Sequence, residues 1–406
     1  MDFDHHRPEY SENNTKTWAD MRSRCPVAWS PHHGGFWAVS SYAGLRSGLQ
    51  DRELCSNEKF DEDGNAVGGL AIPVPEGPRE IPDEVDPPEW EFYRRLLAPP
   101  FAPAAVAKME PKVEGFATEV INSVIETGRA DFINNISSPV TALITLDILG
   151  LPVADWEFYA EPIHRFSSGG GTDGSEIVDL IYGRLREEIA ARRERPGTGL
   201  LDDLLATRRD GQPLPDDKVL DTLWNLIVGG FDTTSALLGW TVYYLDEHRE
   251  HHAMLVEDQR ALQIATEEFL RWASPVSALA RTARVPRTLE GQEIQPGDRM
   301  LFLYGSANRD PEVFDDPETV DLARFPNQHF AFGTGIHRCL GSNLARLIFR
   351  VVLRQFLTRM PDFSVDRAAA QPYPVRSSSN GWVSLPVTFT PGERRPTGYA
   401  YLAQHL

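Results

Sequence analysis

The stretch HFAFGTGIHRCLGSNLAR, residues 329–346, places one cysteine, Cys339, between glycines and directly before a segment with helical apolar periodicity. The start of a helix stabilises a thiolate, because unpaired backbone N–H groups and the positive end of the helix dipole lie there. Gly333, Gly335 and Gly341 permit a tight loop and let a flat ligand approach the backbone closely. The spacing alone also fits a buried, chemically inert cysteine, which is a common arrangement.

A thiolate at Cys339 would bind a metal, but no second ligand stands at zinc spacing. The chain has only three cysteines, and the other two, Cys25 and Cys55, lie far away in the sequence. This pattern fits a metal whose remaining positions are filled by a macrocycle, as in haem. The odd number of cysteines argues against a disulfide scaffold and favours a reducing cytosol.

The composition is that of an acidic globular chain. Its 406 residues are 41% hydrophobic, and 40 Lys and Arg stand against 59 Asp and Glu, for a net charge of −19. Such a charge excludes an ordinary nucleic-acid binder, which needs a basic surface. The N-terminus MDFDHHRPEYSENN lacks the features of a signal peptide, and no stretch approaches the ~20 apolar residues of a membrane span. We therefore expect a cytoplasmic protein without membrane contact.

The periodicity predicts a mainly α chain with a minor β portion, folded as a single domain over residues 1–406 with room for disorder in the first ~20 residues. Residues up to ~100 are rich in Pro and Gly and are expected to be irregular, and the glycine run SSGGGTDG, residues 167–174, to form a mobile connector. Strands are expected in 279–303 and 375–391. The predicted helices cover 89–98, 104–127, 139–150, 153–168, 174–194, 200–208, 216–247, 259–272 and 342–360.

The decapeptide FGTGIHRCLG resembles the haem-binding signature of the cytochrome P-450 family, Phe-x-x-Gly-x-x-x-Cys-x-Gly, at Phe332, Gly335, Cys339 and Gly341. Further segments match in the family's order from about residue 85 to 390, and the similarity is to the soluble bacterial members. The resemblance implies the cytochrome P-450 fold, with haem b between the long central helix and the helix after the cysteine loop. It implies Cys339 as the iron ligand, with Phe332, Gly333 and Gly341 also contacting the cofactor.

The segment EEFLRW, residues 267–272, carries Glu268 and Arg271 three positions apart on one helix face, where they can pair. An exposed pair of this kind would contribute little to stability. The resemblance implies instead that the pair has a structural role, joined by a third residue, Arg324, and that it locks the region of the cysteine.

The segment LIVGGFDTTSALLGW, residues 226–240, puts two glycines and Asp-Thr-Thr inside a long apolar helix, which is locally unfavourable. A threonine can bond back to a carbonyl one turn earlier and bend the helix, and a break there would leave room for O₂ and water. Close helix packing is the alternative explanation for the glycines. The resemblance identifies Asp232 and Thr233 as the acid–alcohol pair that delivers protons for O₂ cleavage, assisted by electron donation from the thiolate.

Haem propionates need cationic or hydrogen-bonding partners. The resemblance implies four such residues: Trp90 and Arg94, one helical turn apart, with Arg281 and His337. Many bacterial members have His where this chain has Trp90, although an indole N–H is also a donor. Each residue taken singly would fit a solvated surface position.

The chain lacks a flavin or nicotinamide fingerprint and an iron–sulfur cysteine cluster, so a ferredoxin with its reductase is the expected electron donor. Arg346, Arg350 and Arg354 recur every four residues after Cys339, and Arg338 adjoins it. This basic stripe on an acidic protein would steer an acidic ferredoxin. A solvated helix face is the alternative.

Substrate contacts follow from the resemblance alone. It implies a largely apolar pocket lined by the loop at 60–85 and the segment at 160–175. The individual residues expected there are Asn225, Val228, Gly229, Val276, Ser277, Leu279, Ser378 and Ser379.

The leading hypothesis is a monomeric haem-thiolate monooxygenase that hydroxylates a small, mainly apolar molecule. The alternatives on the same fold are a peroxygenase that uses H₂O₂ and a sensor or carrier without turnover. The acid–alcohol pair at Asp232 and Thr233 argues against both, and more strongly against the peroxygenase.

Overall fold

The structure is a computed structural model that describes residues 1–61, 63–75, 77–168 and 174–406. The predicted connector at 167–174 therefore lies mostly outside the described residues. The chain groups into two compact units. The first unit comprises Met1–Tyr93, Glu267–Leu340 and Pro374–Asn380, and the second comprises Arg94–Thr266, Gly341–Tyr373 and Gly381–Leu406.

Helices dominate the described residues, which confirms the predicted fold class. The α-helices are α1 Pro8–Arg24, α2 Tyr42–Gln50, α3 Glu89–Phe101, α4 Pro103–Ala107, α5 Glu110–Val124, α6 Ser138–Leu149, α7 Trp156–Ser168, α8 Gly174–Glu194, α9 Leu200–Ala206, α10 Asp216–Leu245, α11 His252–Glu257, α12 Gln259–Ala273, α13 Tyr304–Ala307 and α14 Ser342–Arg359. The single helix predicted over 104–127 is two helices, because Pro111 lies in the first turn of α5 and suits a helix start.

The β portion consists of short strands. They are β1 Val27–Ser30, β2 Phe36–Val39, β3 Cys55–Ser56, β4 Glu58–Phe60, β5 Ala66–Gly68, β6 Arg129–Asp131, β7 Arg208–Arg209, β8 Gln212–Pro213, β9 Leu279–Ala283, β10 Arg287–Leu289, β11 Gln292–Ile294, β12 Arg299–Phe302, β13 Ser364–Val365, β14 Gln371–Pro372, β15 Trp382–Ser384 and β16 Pro386–Thr388. The strands expected in 279–303 and in the C-terminal tail are present.

The first unit is built on a sheet with strand order β1-β2-β12-β9-β3, in which β12 runs parallel to β2 and the other neighbours are antiparallel. Its apolar side chains are buried on both sides of the sheet, with Phe36, Ala38 and Leu301 in one cluster and Val39, Met300 and Phe302 in another. Alternate side chains of a strand point to opposite faces, which explains this division.

One expectation for the N-terminal region is wrong. Residues up to ~100 are not irregular throughout, since they supply α1, α2 and five of the strands. Helix α1 buries Tyr10, Trp18 and Met21, and the Trp18 indole donates a hydrogen bond to Tyr10 Oη at 2.8 Å. The polar composition of α1 hides this anchoring in the sequence.

The second unit is built around α10, whose 30 residues are buried along much of their length. Helix α6 packs beside α10 and is buried along most of its length, as expected of a mainly apolar helix enclosed by protein. A small sheet, β13-β16-β6, belongs to the same unit. Among the described residues, no helix combines the length and the apolar character needed to cross a membrane.

Candidate functional site

The loop before Cys339 is fixed by its glycines. Gly333 and Gly335 adopt φ values of 62° and 74°, which side-chain-bearing residues rarely adopt. A Cβ at Gly335 would lie 2.7 Å from the carbonyl oxygen of Leu49, so only glycine fits this close approach. The Cys339 N–H donates to the Phe332 carbonyl at 2.9 Å. Cys339 itself is exposed and stands three residues before the start of α14.

Asn308 supports the start of this loop, although no pattern in the sequence indicates it. Its Oδ1 accepts from the Phe330 N–H at 2.7 Å, and its Nδ2 donates to Ser274 Oγ at 2.9 Å. The backbone carbonyl of Asn308 accepts from Arg271 Nη1 at 2.8 Å. Asn308 therefore couples the start of the cysteine loop to α12.

The structure brings Glu268, Arg271 and Arg324 together as predicted. Arg271 binds Glu268 through two parallel bonds of 2.8 and 2.7 Å, and both side chains are 0% exposed. Arg324 Nε lies 3.1 Å from Glu268 Oε2, and Asn327 and the Asp321 N–H also donate to this carboxylate. Burial alone would raise the pKa of Glu268, but the hydrogen bond and charge of Arg271 and the other donors lower it.

Because this pair is buried, it is not the weak exposed salt bridge that the sequence also allowed. Arg271 further donates to the carbonyls of Pro317 and Thr319, so its remaining N–H groups are satisfied. A buried ion pair with this many hydrogen bonds is a rigid junction between α12 and the segment leading to the cysteine.

Arg281 lies on β9 with only 6% of its surface exposed. Its guanidinium donates to the Ala280 carbonyl at 2.7 Å and approaches Tyr304 Oη at 3.5 Å, and no carboxylate of the described residues forms an ion pair with it. Burial, together with the charge of the nearby Arg281, lowers the pKa of Arg299 to about 10. This part of the first unit therefore favours binding of an anionic group.

Trp90 and His337, two of the predicted propionate partners, contact each other, with ring centroids 5.6 Å apart. Both belong to the first unit. Arg94 lies one turn after Trp90 on α3. The indole is a neutral donor and the imidazole is a neutral or cationic one, which suits a carboxylate ligand.

Helix α10 carries the other half of the predicted chemistry. Thr233 Oγ1 donates to the Gly229 carbonyl at 2.9 Å, which is the predicted back-bond. The expected break is absent, because α10 stays helical from Asp216 to Leu245. Gly229 is exposed in mid-helix, with open space where a Cβ would stand, whereas a Cβ on Gly230 would meet Thr145 Oγ1 at 2.7 Å.

Asp232 is buried and has two partners that sequence reasoning missed. His164 Nδ1 lies 3.2 Å from Asp232 Oδ1, and Tyr373 Oη donates to Asp232 Oδ2 at 3.3 Å. His164 Nε2 lies 3.2 Å from the Val383 carbonyl. Burial alone would lower the pKa of His164, but the hydrogen bond and charge of Asp232 raise it. Burial and the charge of Asp232 raise the pKa of Tyr373.

The contact between His164 and Asp232 can carry a proton. A carbonyl oxygen only accepts, so a hydrogen bond to Val383 needs a hydrogen on His164 Nε2. A hydrogen bond between Nδ1 and Asp232 then needs a second hydrogen, on the imidazole or on the carboxyl group, and Tyr373 Oη lies 3.5 Å from the same Nδ1. His164, Asp232 and Tyr373 therefore form a buried group that can exchange a proton, and Asp232 directly precedes Thr233 in the chain.

Several predicted pocket residues form hydrogen bonds to other parts of the fold. The Ser277 N–H and hydroxyl both bind the Ser378 carbonyl, at 2.6 and 3.1 Å, and Ser277 is fully buried. Val276 and Ser379 form an isolated antiparallel bridge. Leu279 is half-buried at the start of β9. On α10, Asn225 is buried, Val228 is half-buried and Gly229 is exposed.

The arginines of the predicted docking stripe differ in their surroundings. Arg338 is exposed, and Arg346 and Arg350 are half-buried on α14. Arg346 Nη1 donates to the Ser342 carbonyl at 3.1 Å. Arg354 pairs with Glu114 at 2.8 Å, so part of its charge is neutralised.

These residues fit a haem. The exposed Cys339 offers a thiolate ligand, and a Cβ built on Gly333 or Gly341 would meet nothing within 4 Å, which leaves room for a flat macrocycle. The guanidinium of Arg281 is buried, and no carboxylate of the described residues forms an ion pair with it. It therefore supplies the positive charge that a propionate needs.

The comparisons with known proteins agree with this geometry. The family model described as Cytochrome P450 matches residues 172–372. The chain is 30% identical to a Steroid C26-monooxygenase of Mycobacterium tuberculosis over 381 residues, 91% of this chain and 99% of that protein. It is 30% identical to a Vitamin D3 dihydroxylase of Streptomyces griseolus, covering 80% of each. The crystal structure of CYP109E1 from Bacillus megaterium with testosterone superposes with a TM-score of 0.84 at 26% identity, covering 95% of this chain and 100% of that one.

Proposed function

This chain belongs to the cytochrome P450 family, and from that premise we propose that it hydroxylates a small, mainly apolar molecule with O₂ and two electrons from a ferredoxin. The protein is a monooxygenase that binds haem b through a cysteine thiolate, takes electrons from a redox partner and acts on a small molecule. The observation that supports O₂ use most directly is the buried contact between His164 and Asp232, the residue before Thr233.

Cys339 is the proposed iron ligand. The bound haem supplies the redox chemistry by which O₂ is reduced and one oxygen atom enters the substrate. The loop fixes the sulfur position, because Asn308 and the pair of Glu268 and Arg271 support its start. Gly333 and Gly341 leave open space where a Cβ would stand, and we expect Phe332 to contact the cofactor beside them.

Arg281, Trp90, His337 and Arg94 are the proposed propionate partners. The guanidinium of Arg281 is pre-positioned, since the Ala280 carbonyl and Tyr304 already hold it. Trp90 and His337 contact each other and so limit each other's rotation. A charge-assisted bond to a propionate is stronger than a neutral one, so we expect Arg281 to contribute most.

The proposed proton path runs from His164 to Asp232 and then to Thr233. Tyr373 holds one carboxylate oxygen, which leaves the other to share the stored proton with His164. Rotation of the Asp232 carboxyl would carry this proton toward the Thr233 hydroxyl, whose own hydrogen bonds to Gly229 at rest. A positioned acid of this kind contributes about 10²–10⁴ in rate.

This path separates the monooxygenase from its rivals. A peroxygenase receives an oxygen that is already reduced and protonated, and a sensor or carrier needs no protons. Neither would need a buried carboxyl group held between an imidazole and a phenol.

The proposed substrate is a rigid, mainly apolar molecule, and steroids are the first class to screen. The matched relatives are named for steroid and vitamin D3 oxidation, and one structural neighbour holds testosterone. Asn225, Val228 and Gly229 are proposed to face the substrate from α10, and Asn225 could orient one polar atom of it.

The deciding experiment incubates the purified protein with a ferredoxin, its reductase, NAD(P)H, O₂ and a panel of steroids and other apolar compounds. Compounds are first ranked by the low- to high-spin shift of the haem band. A hydroxylated product that requires O₂ and the ferredoxin supports the proposal. Product with H₂O₂ alone at a comparable rate would establish the peroxygenase instead, and tight binding without product would favour the carrier.

A further inference from the structure

Three histidines of the first unit converge at a place that the haem chemistry does not use. They are His5 and His6, before α1, and His33, in the turn between β1 and β2. One ring nitrogen from each lies within 4.8 Å of the other two. The ring centroids are 4.3 Å apart for His5 and His6, 5.0 Å for His6 and His33, and 5.7 Å for His5 and His33.

These distances match three imidazoles around one metal ion. With Zn–N bonds of about 2.0–2.1 Å and tetrahedral angles, ring centroids of neighbouring ligands lie roughly 5 Å apart. The planes are inclined by 55°, 67° and 78°, so the rings do not stack on one another. They are arranged around a common point rather than packed face to face.

The hydrogen bonds of two rings leave a lone pair on the other nitrogen of each. His6 Nε2 lies 2.7 Å from the Ile72 carbonyl, and His33 Nε2 lies 2.8 Å from Asp4 Oδ1. A carbonyl or a carboxylate accepts, so Nε2 is the protonated nitrogen in each neutral ring and Nδ1 carries the lone pair. Metal-bound histidines have this pattern, in which a carbonyl or a carboxylate orients the ring.

His5 supplies the third ring. It is only 2% exposed, and its Nδ1 has no hydrogen-bond partner in the part of the chain that the structure describes. Packing against Phe3 and Phe36 accounts for the burial of the ring but leaves this nitrogen unsatisfied. An unsatisfied buried polar atom destabilises the folded state, and a bound metal ion would remove that cost.

We propose that His5, His6 and His33 bind one divalent zinc ion, with Asp4 and the Ile72 carbonyl orienting the ligands. Three neutral imidazoles suit zinc and the neighbouring late transition metals, and they leave a fourth position for water. The ion would join the N-terminal segment to the turn before β2 and, through His6, to the loop at Ile72. The site is separate from the haem ligand and from the proton path.

The test uses the untagged, full-length holoenzyme, so that no added histidines bind metal. The protein is treated with a chelator, dialysed and titrated with Zn²⁺, and bound zinc is measured by mass spectrometry. We expect one zinc per chain. Because a ligand at a hundredfold its Kd stabilises by about 2.7 kcal/mol, zinc should raise Tm by about 3 °C for a chain of this size.

Two variants remove single ligands. His33→Asn keeps a residue that tolerates the positive φ of 52° found there, and His6→Gln keeps a donor for the Ile72 carbonyl. Both should retain haem and lose the stoichiometric zinc and the rise in Tm. The matched control is His251→Gln, because His251 belongs to a second group of possible ligands with His248 and Glu250. This variant should keep both the stoichiometric zinc and the rise in Tm.

Three results would overturn the proposal. They are a wild-type protein that binds no stoichiometric zinc, a folded His33→Asn or His6→Gln variant that binds it like the wild type, and loss of zinc in His251→Gln. Should one ligand variant not fold, the other gives the answer.

Discussion

His164 Nδ1 lies 3.2 Å from Asp232 Oδ1, close enough for the two atoms to share a proton. Asp232 is 5% exposed, so its carboxyl group has little access to water. Tyr373 holds the other oxygen. The proposed acid–alcohol pair therefore has a titratable neighbour from which its acid can take a proton.

Replacing His164 should slow proton delivery without removing the haem. In His164→Gln the amide no longer titrates, so we expect O₂-dependent product formation to fall by about 10²-fold. Electrons would still be consumed, and more of them would appear as H₂O₂. The measurement is the ratio of product to NAD(P)H consumed, together with the solvent deuterium isotope effect.

The control for this prediction is Tyr401→Phe, which removes the hydroxyl of an exposed tyrosine outside the site. It should leave the ratio and the isotope effect at their wild-type values. If His164→Gln keeps the wild-type isotope effect while its rate falls, His164 has only a structural role and the proposed path is wrong.

The same pair makes stability depend on pH. The hydrogen bond and charge of Asp232 outweigh the effect of burial and, helped by Val383 and Asp131, raise the pKa of His164 above its usual 6.5. A group whose pKa is raised by folding contributes stability that is complete below pH 6.5 and is lost as the pH rises through the folded pKa. Thermal unfolding from pH 6 to 9 should therefore show a decline in Tm that Asp232→Asn lacks. An identical decline in both proteins would contradict this assignment.

Sequence reasoning identified the residues whose spacing is local and missed those whose partners are distant. Glu268 and Arg271 are three apart on one helix, so their pairing was predictable. His164 and Tyr373 lie 68 and 141 residues from Asp232, and no periodicity links such positions. The resemblance gave the role of Asp232 but not the residues that hold it.

The fold shows the same division. The long apolar helices α10 and α14 were predicted within a few residues, because their periodicity extends over many turns. Strands β1 and β2 have four residues each and pair with each other, and β2 also pairs with β12, about 260 residues later, so tertiary contacts define them. Helix α1 was missed because its few buried residues are separated by polar ones.

Neutralising Glu268 should destabilise the first unit strongly. Its carboxylate is fully buried against Arg271, and removing one partner of a buried pair typically costs 3–5 kcal/mol. We expect Glu268→Gln to lower the free energy of unfolding by about this amount and to weaken haem retention. Denaturant unfolding followed by circular dichroism gives the value.

The matched control is Glu114→Gln, since Glu114 pairs with Arg354 at the surface. Exposed pairs contribute about 0–1 kcal/mol, so this variant should stay close to wild type. Equal losses in the two variants would mean that burial of the first pair is not what stabilises the junction.

Charge reversal on α14 tests the docking proposal. Arg346→Glu with Arg350→Glu should slow reduction by an acidic ferredoxin by about tenfold or more at low salt, and should flatten the salt dependence of the rate. Stopped-flow reduction at several ionic strengths measures both effects. Arg394→Glu, at an exposed pair with Glu126, is the control. Reduction that is unchanged in the double variant would exclude this surface.

The neighbouring glycines of α10 should respond in opposite ways to alanine. At Gly230 the new Cβ would meet Thr145 Oγ1 at 2.7 Å, and Thr145 cannot turn away easily because its hydroxyl donates to the Thr141 carbonyl at 2.8 Å. Overpacking of this kind costs about 1–3 kcal/mol. At Gly229 a Cβ meets nothing within 4 Å, so Gly229→Ala should gain about 0.5–1 kcal/mol from helix propensity.

If Gly229 also faces the substrate, its added methyl group should weaken binding of a bulky substrate by about tenfold, in spite of the higher stability, because the methyl occupies space that the ligand needs. Gly230→Ala should lower Tm and leave the affinity of the folded protein near wild type, since its Cβ faces α6. Denaturant unfolding and spin-shift titration measure the two effects separately. A Gly229→Ala variant that is more stable and binds every ligand as the wild type does would place the substrate away from this face of α10.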